Sequence, residues 1–343
     1  MPAATAESDD VPRRLEPWLA ERLGTGVRVL DVRPATQGMS DETFFVQLAE
    51  GGGHPRELVI RRYRAGGVLR EITDPERHFH VLAALGNKGI PVPRVLWFEP
   101  DTAVLGGAFF VMERVAGTVP VPWSTEGRAF LGAAGRGPVG EQFIDVLAVI
   151  HHVDWRGPEF AFLAPPAPGR GFALAEVEKL AELVARYRSE PEPIFEDAIG
   201  WLREHAPEPP AITLVHGDYR TGNLIYDGDR IAAVLDWEFA CLGDPMLDVA
   251  WVCAGSNRME SDLVCYLLPM QRFLDGYRQR TGWDPSPERL RFWETFHQLR
   301  NALVWLSAGN AFSRGRTDDL RFARMALRLP VMRRLVAELL EYR

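Results

Sequence analysis

His216, Asp218 and Asn223 stand at the spacing H-x-D-x-x-x-x-N, inside LVHGDYRTGN. Asp236 follows an apolar run, Ile231 to Leu235, and Asp244 and Asp248 come soon after in GDPMLD. A carboxylate held against a hydroxyl can accept its proton while the oxygen attacks a phosphorus. An amide oxygen and a second carboxylate nearby are hard donors, suited to magnesium and able to bridge it to nucleotide phosphates. Asp218 is therefore the candidate base, and Asn223 and Asp236 are the candidate metal ligands. The plain alternative is that such an Asp and Asn cap a turn and bond only their own backbone.

The remaining residues of the stretch read as support. His216 is expected to donate to a backbone carbonyl or a neighbouring carboxylate and so fix the loop. Gly217 and Gly222 allow backbone conformations that a side chain excludes. Asp244 precedes Pro245 and is expected to tie the loop together. Asp248 opens a helix, where the dipole favours a carboxylate.

These residues need elements to position them. Ile212–Val215 and Ile231–Leu235 read as short buried strands separated by polar turn residues. That places Asp218, Asn223 and Asp236 at strand ends or in the connecting loop. Upstream, Pro12–Leu23 has helical spacing. Val27–Val32, Thr43–Leu48 and Glu57–Tyr63 read as strands of an antiparallel sheet. Asp74–Leu85 is expected to be helical, with Pro75 in its first turn and Gly86 after its end. Val95–Phe98 and Ala108–Met112 complete about five strands.

After Trp123 the pattern turns helical: Gly140–His152, Leu174–Arg188, Pro193–His205, Asp248–Ala254, Ser261–Thr281, Pro287–Gly309 and Asp319–Tyr342, with a Pro/Gly-rich loop over 158–171. The fold class is α+β in two lobes. Residues 1–10 are expected to be a disordered tail, 11–115 a small antiparallel-sheet lobe, and 116–343 a larger, mostly helical lobe.

Composition sets outer limits. The chain has 343 residues, more than one core usually serves. Its net charge is −8 and it has no long basic run, so no nucleic-acid footprint is expected. Three cysteines without a C-x-x-C pair argue against a disulfide framework or a zinc site, and fit a reducing cytoplasm. No segment is apolar for long enough to span a membrane. The opening MPAATAESDD lacks the pattern of a secretory signal.

Two places in the first lobe are candidates for nucleotide contact. The loop Gly38-Met-Ser-Asp-Glu-Thr43 lies between two predicted strands, where backbone N–H groups and the Ser40 hydroxyl can cover phosphates. By itself it is an ordinary hairpin turn. Arg61 and Arg62 end the strand LVIRR, and strand alternation turns only one of them inward. Lys88 and Lys179 are the chain's two lysines, and neither is on that strand.

Taken together, HGDYRTGNLI, VLDWEFACLGDPMLDVAW, IPVPRVLWFE and GAFFVMERVAG resemble, in order, the landmarks of the aminoglycoside phosphotransferase and choline kinase family. That family is related to the protein kinases. The similarity runs from about Val27 to Ala254. It is to the bacterial phosphotransferase branch that includes kinase domains associated with acyl-CoA dehydrogenases. The resemblance implies a protein-kinase-like fold, ATP or GTP as donor with Mg²⁺, and a small-molecule hydroxyl as acceptor. It implies Asp218 as catalytic base, with Asn223 and Asp236 on magnesium. Ser40 and Arg61 would meet the phosphates, and Met112, Glu113, Val115, Ile225 and Leu235 would surround the adenine.

The sequence departs from the family pattern in two ways. Arg61 stands where a lysine is usual, and His78 falls where that lysine's glutamate partner is expected, with Glu76 two residues away. An aminoglycoside resistance kinase, a nucleotide-binding pseudokinase or regulator, and a helical partner-binding module remain the alternatives. The first would need an acidic acceptor pocket in the helical lobe, where acidic residues such as Glu190, Glu192, Glu196 and Asp197 could equally form a solvated surface.

Overall fold

Five antiparallel strands form the first unit, in the order β1-β2-β3-β5-β4. They are β1 (Val27–Pro34), β2 (Glu42–Glu50), β3 (Arg56–Tyr63), β4 (Val95–Glu99) and β5 (Ala108–Glu113). The computed structural model describes residues 11–35, 42–50, 55–63, 73–258 and 261–342. The expected tail over 1–10 and the phosphate-loop candidate Ser40 lie outside the described residues.

Alternation along β3 separates two faces. Leu58 and Ile60 join Phe44, Phe109 and Val111 beneath helix α1 (Val11–Leu23), which buries Leu15, Trp18 and Leu19 there. Arg62 follows the same alternation. It is buried, donates to the Leu105 carbonyl at 2.6 Å and pairs with Glu42. Val59, Arg61 and Tyr63 fall on the opposite face by the strand's two-residue period. Helix α2 (Pro75–Leu85) starts where the Asp74 carboxylate accepts from the Glu76 and Arg77 amides, with Pro75 at the first turn.

The second unit comprises 88–90 and 117–343, and the first comprises 1–87 and 91–116. Its helices are α3 (Thr125–Ala134), α4 (Pro138–His151), α5 (Gly171–Tyr187), α6 (Pro193–His205), α7 (Met246–Cys253), α8 (Met270–Thr281), α9 (Pro287–Ser313), α10 (Leu320–Ala326) and α11 (Leu329–Leu339). Between α6 and α7 lie two small antiparallel pairs. One joins β6 (Thr213–Val215) to β9 (Cys241–Gly243), and the other joins β7 (Leu224–Asp227) to β8 (Arg230–Val234).

Two expectations change, and one helix had not been expected. The predicted helix over 261–281 begins as a hairpin, β10 (Leu263–Val264) with β11 (Leu268–Pro269), and only then becomes α8. Cys265 and Tyr266 turn that hairpin with positive φ, which no helix tolerates. The predicted helix over 319–342 is two helices, because Pro330 cannot continue a helical ladder from α10 and instead opens α11. The helix α3 gives no strong apolar period, since it buries only Gly127 and Leu131. No helix among the described residues is long and apolar enough to cross a membrane.

Gly117 shows how tightly the second unit begins. Its φ is +131°, and a Cβ there would lie 2.4 Å from the Tyr226 carbonyl oxygen. The next residue, Thr118, exchanges two 2.8 Å backbone bonds with Tyr226. Gly117→Ala is therefore expected to cost about 1–3 kcal/mol. A thermal melt should fall by several degrees, and an unchanged melting temperature would contradict this contact.

Candidate active site

The loop from β6 to β7 is held from below by one carboxylate. Asp248, on α7 and fully buried, accepts from the His216 amide at 2.7 Å through Oδ2 and from the Gly217 amide at 2.7 Å through Oδ1. His151 Nε2 lies 3.1 Å from the same Oδ2, and its Nδ1 lies 2.7 Å from the Tyr277 hydroxyl. Burial pushes the Asp248 carboxyl up. The hydrogen bond and charge of His151 and the bond from the His216 backbone amide outweigh it, so the net shift is downward. Asp248 thus does more than favour a helix start, because it fixes the backbone immediately before Asp218.

Gly217 can occupy that position only as glycine. Its φ is +82°, and a Cβ would lie 2.7 Å from the Phe239 side chain and 2.8 Å from the Phe239 carbonyl oxygen. His216 locks the next turn. Its Nδ1 accepts from the Asp218 amide at 3.1 Å, so the ring proton is on Nε2, which donates to the Leu235 carbonyl at 2.8 Å. One imidazole therefore ties the loop to the end of β8. The Asn223 carbonyl makes a second tie, accepting from the Leu235 amide at 2.8 Å.

Asp218 is half-buried, and its carboxylate is clamped. Oδ1 accepts from Trp251 Nε1 at 2.6 Å and from Arg220 Nε at 3.2 Å. Oδ2 accepts from Asn223 Nδ2 at 2.7 Å. The same Nδ2 donates to the Asp218 carbonyl at 2.9 Å. Both partners are acceptors, so the nitrogen must face them and Oδ1 of Asn223 is turned away.

Asp236 follows β8 in the left-handed region, φ +59° and ψ +54°, and starts the short turn Trp237–Phe239. Its charge acts on Arg220, whose pKa is raised first by Asp218 and further by Asp236, against the opposing effect of burial. The structure therefore brings Asp218, Asn223 and Asp236 to one end of the β7–β8 hairpin. An amide oxygen and a carboxylate are a fit donor set for magnesium, which keeps several waters and takes few protein ligands. No group of three or more His, Cys, Asp or Glu suited to a metal occurs among the described residues.

The hairpin is anchored from outside as well. Gln142 on α4 donates to the Asp229 carbonyl at 2.8 Å and accepts from the Ile231 amide at 2.9 Å. Tyr219 donates to the Phe143 carbonyl at 2.8 Å, and Thr221 donates to the Cys265 carbonyl at 3.0 Å. Asp244 accepts from Trp293 Nε1 at 2.9 Å and from the Met246 amide at 2.9 Å, as a loop-tying residue should. Burial raises its pKa.

The candidate nucleotide residues fall on both units. Arg61 is half-buried, paired across the ladder with Thr43 and Phe110, with its guanidinium 5.8 Å from the Tyr63 ring centroid. His78 is buried and its Nδ1 lies 2.6 Å from the Tyr63 hydroxyl, so the position where a glutamate was expected holds a histidine hydrogen-bonded to a tyrosine. Glu76 is on another side of α2, 3.8 Å from His80. Met112 and Glu113 end β5, and Glu113 accepts from Arg94 at 3.0 Å. Val115 follows just past the strand. Ile225 and Leu235 are half-buried, on β7 and just after β8.

Three residues close to Asp218 were not singled out from sequence: Arg220, Trp251 and Arg300. Arg220 lies two places after Asp218 in the same motif, so a cation so near a candidate base was a readable signal. Trp251 ends the quoted stretch DVAW, and its indole packs on the buried His297, ring centroids 4.8 Å apart. Arg300 on α9 donates to the Gly217 carbonyl at 2.7 Å across 83 residues of chain, and no local pattern announces it.

The family model for the "Phosphotransferase enzyme family" matches residues 31–293. Acyl-CoA dehydrogenase family member 10 of Mus musculus is 32% identical over 242 residues, covering 70% of this chain and 22% of that protein. The chain thus spans about a fifth of the length of that relative. Among solved structures, a "putative aminoglycoside phosphotransferase" of Ralstonia eutropha superposes with a TM-score of 0.71 at 24% identity, covering 95% of this chain and 97% of the other. A thermostable mutant of aminoglycoside phosphotransferase APH(4)-Ia, in ternary complex with AMP-PNP and hygromycin B, gives 0.61 at 19% identity, covering 94% and 99%. At these identities the likeness is one of fold, with a small sheet-containing lobe and a larger helical lobe.

Proposed function

Because the chain belongs to the phosphotransferase enzyme family, we propose that it transfers the γ-phosphoryl group of ATP or GTP to the hydroxyl of a small molecule. The observation that carries this reading is the Asp218 carboxylate, oriented by Arg220 and Asn223 of its own loop and by Trp251 of α7. A base so held needs no rearrangement to meet an incoming hydroxyl. The acceptor oxygen forms a bond to the γ-phosphorus, and the bond from that phosphorus to the bridging oxygen breaks. The electron pair leaves on the nucleoside diphosphate, and the hydroxyl proton passes to Asp218.

Asn223 Oδ1 and the Asp236 carboxylate would hold Mg²⁺, which when bound neutralises phosphate charge. Arg61 and Ser40 would contact phosphates. Met112, Glu113, Val115, Ile225 and Leu235 would line the base. The AMP-PNP in the APH(4)-Ia complex supports a nucleotide as donor.

An aminoglycoside as acceptor has less support. The acidic residues that would attract it are engaged elsewhere: Glu190 and Glu192 with Arg333, Glu196 with Arg188, and Asp197 with the Tyr342 hydroxyl.

Nucleotide-dependent thermal stabilisation tests the first half of the proposal. ATP with Mg²⁺ at about a hundredfold its dissociation constant should add roughly 2.7 kcal/mol of stability. Chelation of the metal, or Asp236→Asn, should remove most of that gain. A gain of equal size without the metal would take Asp236 out of the binding site.

A further inference from the structure

Arg300 is the arginine near Asp218 with no carboxylate to answer it. Elsewhere in the second unit, Arg280 pairs with Asp145 and Glu141, and Arg333 with Glu190 and Glu192. Arg300 gives one N–H to the Gly217 carbonyl, and among the described residues no carboxylate lies within ion-pair distance of it. Its guanidinium sits 4.9 Å from the Phe239 ring centroid and 5.8 Å from that of Trp251. Trp251 is the same residue that donates to Asp218 Oδ1. The cation is therefore linked to Asp218 indirectly by two routes, through the Gly217 carbonyl and through the Trp251 indole.

A desolvated guanidinium without a counter-ion is costly to keep. Burial pushes the Arg300 pKa below its ordinary value, and the charges of Asp218 and Glu176 only partly oppose this. If Arg300 served only to hold a carbonyl, a neutral donor would do so without that cost. The residue as a whole is half-buried and not sealed from solvent. The planar fork of donors suits a carboxylate or a phosphate monoester, while the two rings hold the guanidinium itself by cation–π contact. The guanidinium charge repels an ammonium group at the same place.

We propose that Arg300 recognises the acceptor, binding an anionic group, carboxylate or phosphate monoester, on the same molecule whose hydroxyl meets Asp218. The inference rests on the phosphotransferase reading and narrows its acceptor class.

The test uses the full chain with ATP and Mg²⁺ and a matched series: glycerate, glycerol 3-phosphate, glycerol and hygromycin B. Phenylglyoxal modification of Arg300, read by peptide mass spectrometry, reports occupancy without turnover. Glycerate or glycerol 3-phosphate should protect Arg300, and whichever protects names the source of the charge. Glycerol and hygromycin B should not protect it. Lack of protection by both anions overturns the proposal, as does equal protection by glycerol.

With the anion that is phosphorylated, Arg300→Gln should raise KM about tenfold to a hundredfold, the worth of a hydrogen bond to a charged group, with a much smaller change in kcat. Arg300→Lys should recover part of the loss. A fall in kcat with KM unchanged would reduce Arg300 to a positioning role through Gly217. If Arg300 is protected but ATP is neither bound nor turned over, the kinase reading fails and the anion site stands. If ATP is turned over and no anion protects Arg300, the converse holds.

Discussion

Asp218→Asn is expected to lower phosphate transfer by about 10²- to 10⁴-fold, the usual contribution of a positioned general base. The amide cannot take the hydroxyl proton, yet it keeps the size of the carboxylate. One oxygen can still accept from Trp251 Nε1, as the carboxylate does at 2.6 Å. The new NH₂ would face donors, Asn223 Nδ2 or Arg220 Nε, so some local loosening accompanies the substitution. Nucleotide-dependent stabilisation measured on the same variant separates the two effects. It should persist while transfer is lost. Equal transfer by wild type and Asp218→Asn would remove Asp218 from the chemistry.

Asp248→Ala is expected to be the most damaging substitution to the fold, at about 3–5 kcal/mol, the cost of breaking a buried charged interaction. It leaves the amides of His216 and Gly217, and the His151 ring nitrogen, facing a void in the interior. The loop that carries Asp218 would lose its floor, so activity and stability should fall together. Chemical denaturation of the variant measures the cost, and a loss under about 1 kcal/mol, the size of an ordinary hydrogen bond, would contradict the assignment.

The pH dependence follows from the direction of the shift. The folded-state pKa of Asp248 is lowered, so its stabilisation is present in full above the unfolded value near pH ~3.9 and is lost as the pH falls through the folded value. Acid unfolding of wild type should therefore show a proton-uptake step that Asp248→Asn lacks.

The chain's own spacing was enough to place much of this protein. The two-residue alternation of β3 and its neighbours, and the apolar runs around HGDYRTGN, are local signals, and local signals survive in one dimension. So a small antiparallel sheet followed by a helical lobe was legible, as was the proximity of Asp218 and Asn223, which share one loop. Errors fell where local preference was overridden. Leu263 to Leu268 carries enough apolar residues for a helix, yet it folds back as a hairpin whose Cys265 carbonyl receives the Thr221 hydroxyl.

What only the tertiary structure decided is the charge balance around Asp218. Asp248 reads as a helix-start carboxylate until the chain brings His151 and two loop amides to it. His78 reads only as a departure from an expected glutamate until the Tyr63 hydroxyl is found hydrogen-bonded to it. Arg300 carries no motif at all. Hydrogen bonds and desolvation act over a few ångströms, and they join residues that folding brings together from distant parts of the chain. The sequence could therefore nominate Asp218 as the base and Asn223 and Asp236 as metal ligands, while the contacts that hold and surround Asp218 belong to the three-dimensional fold.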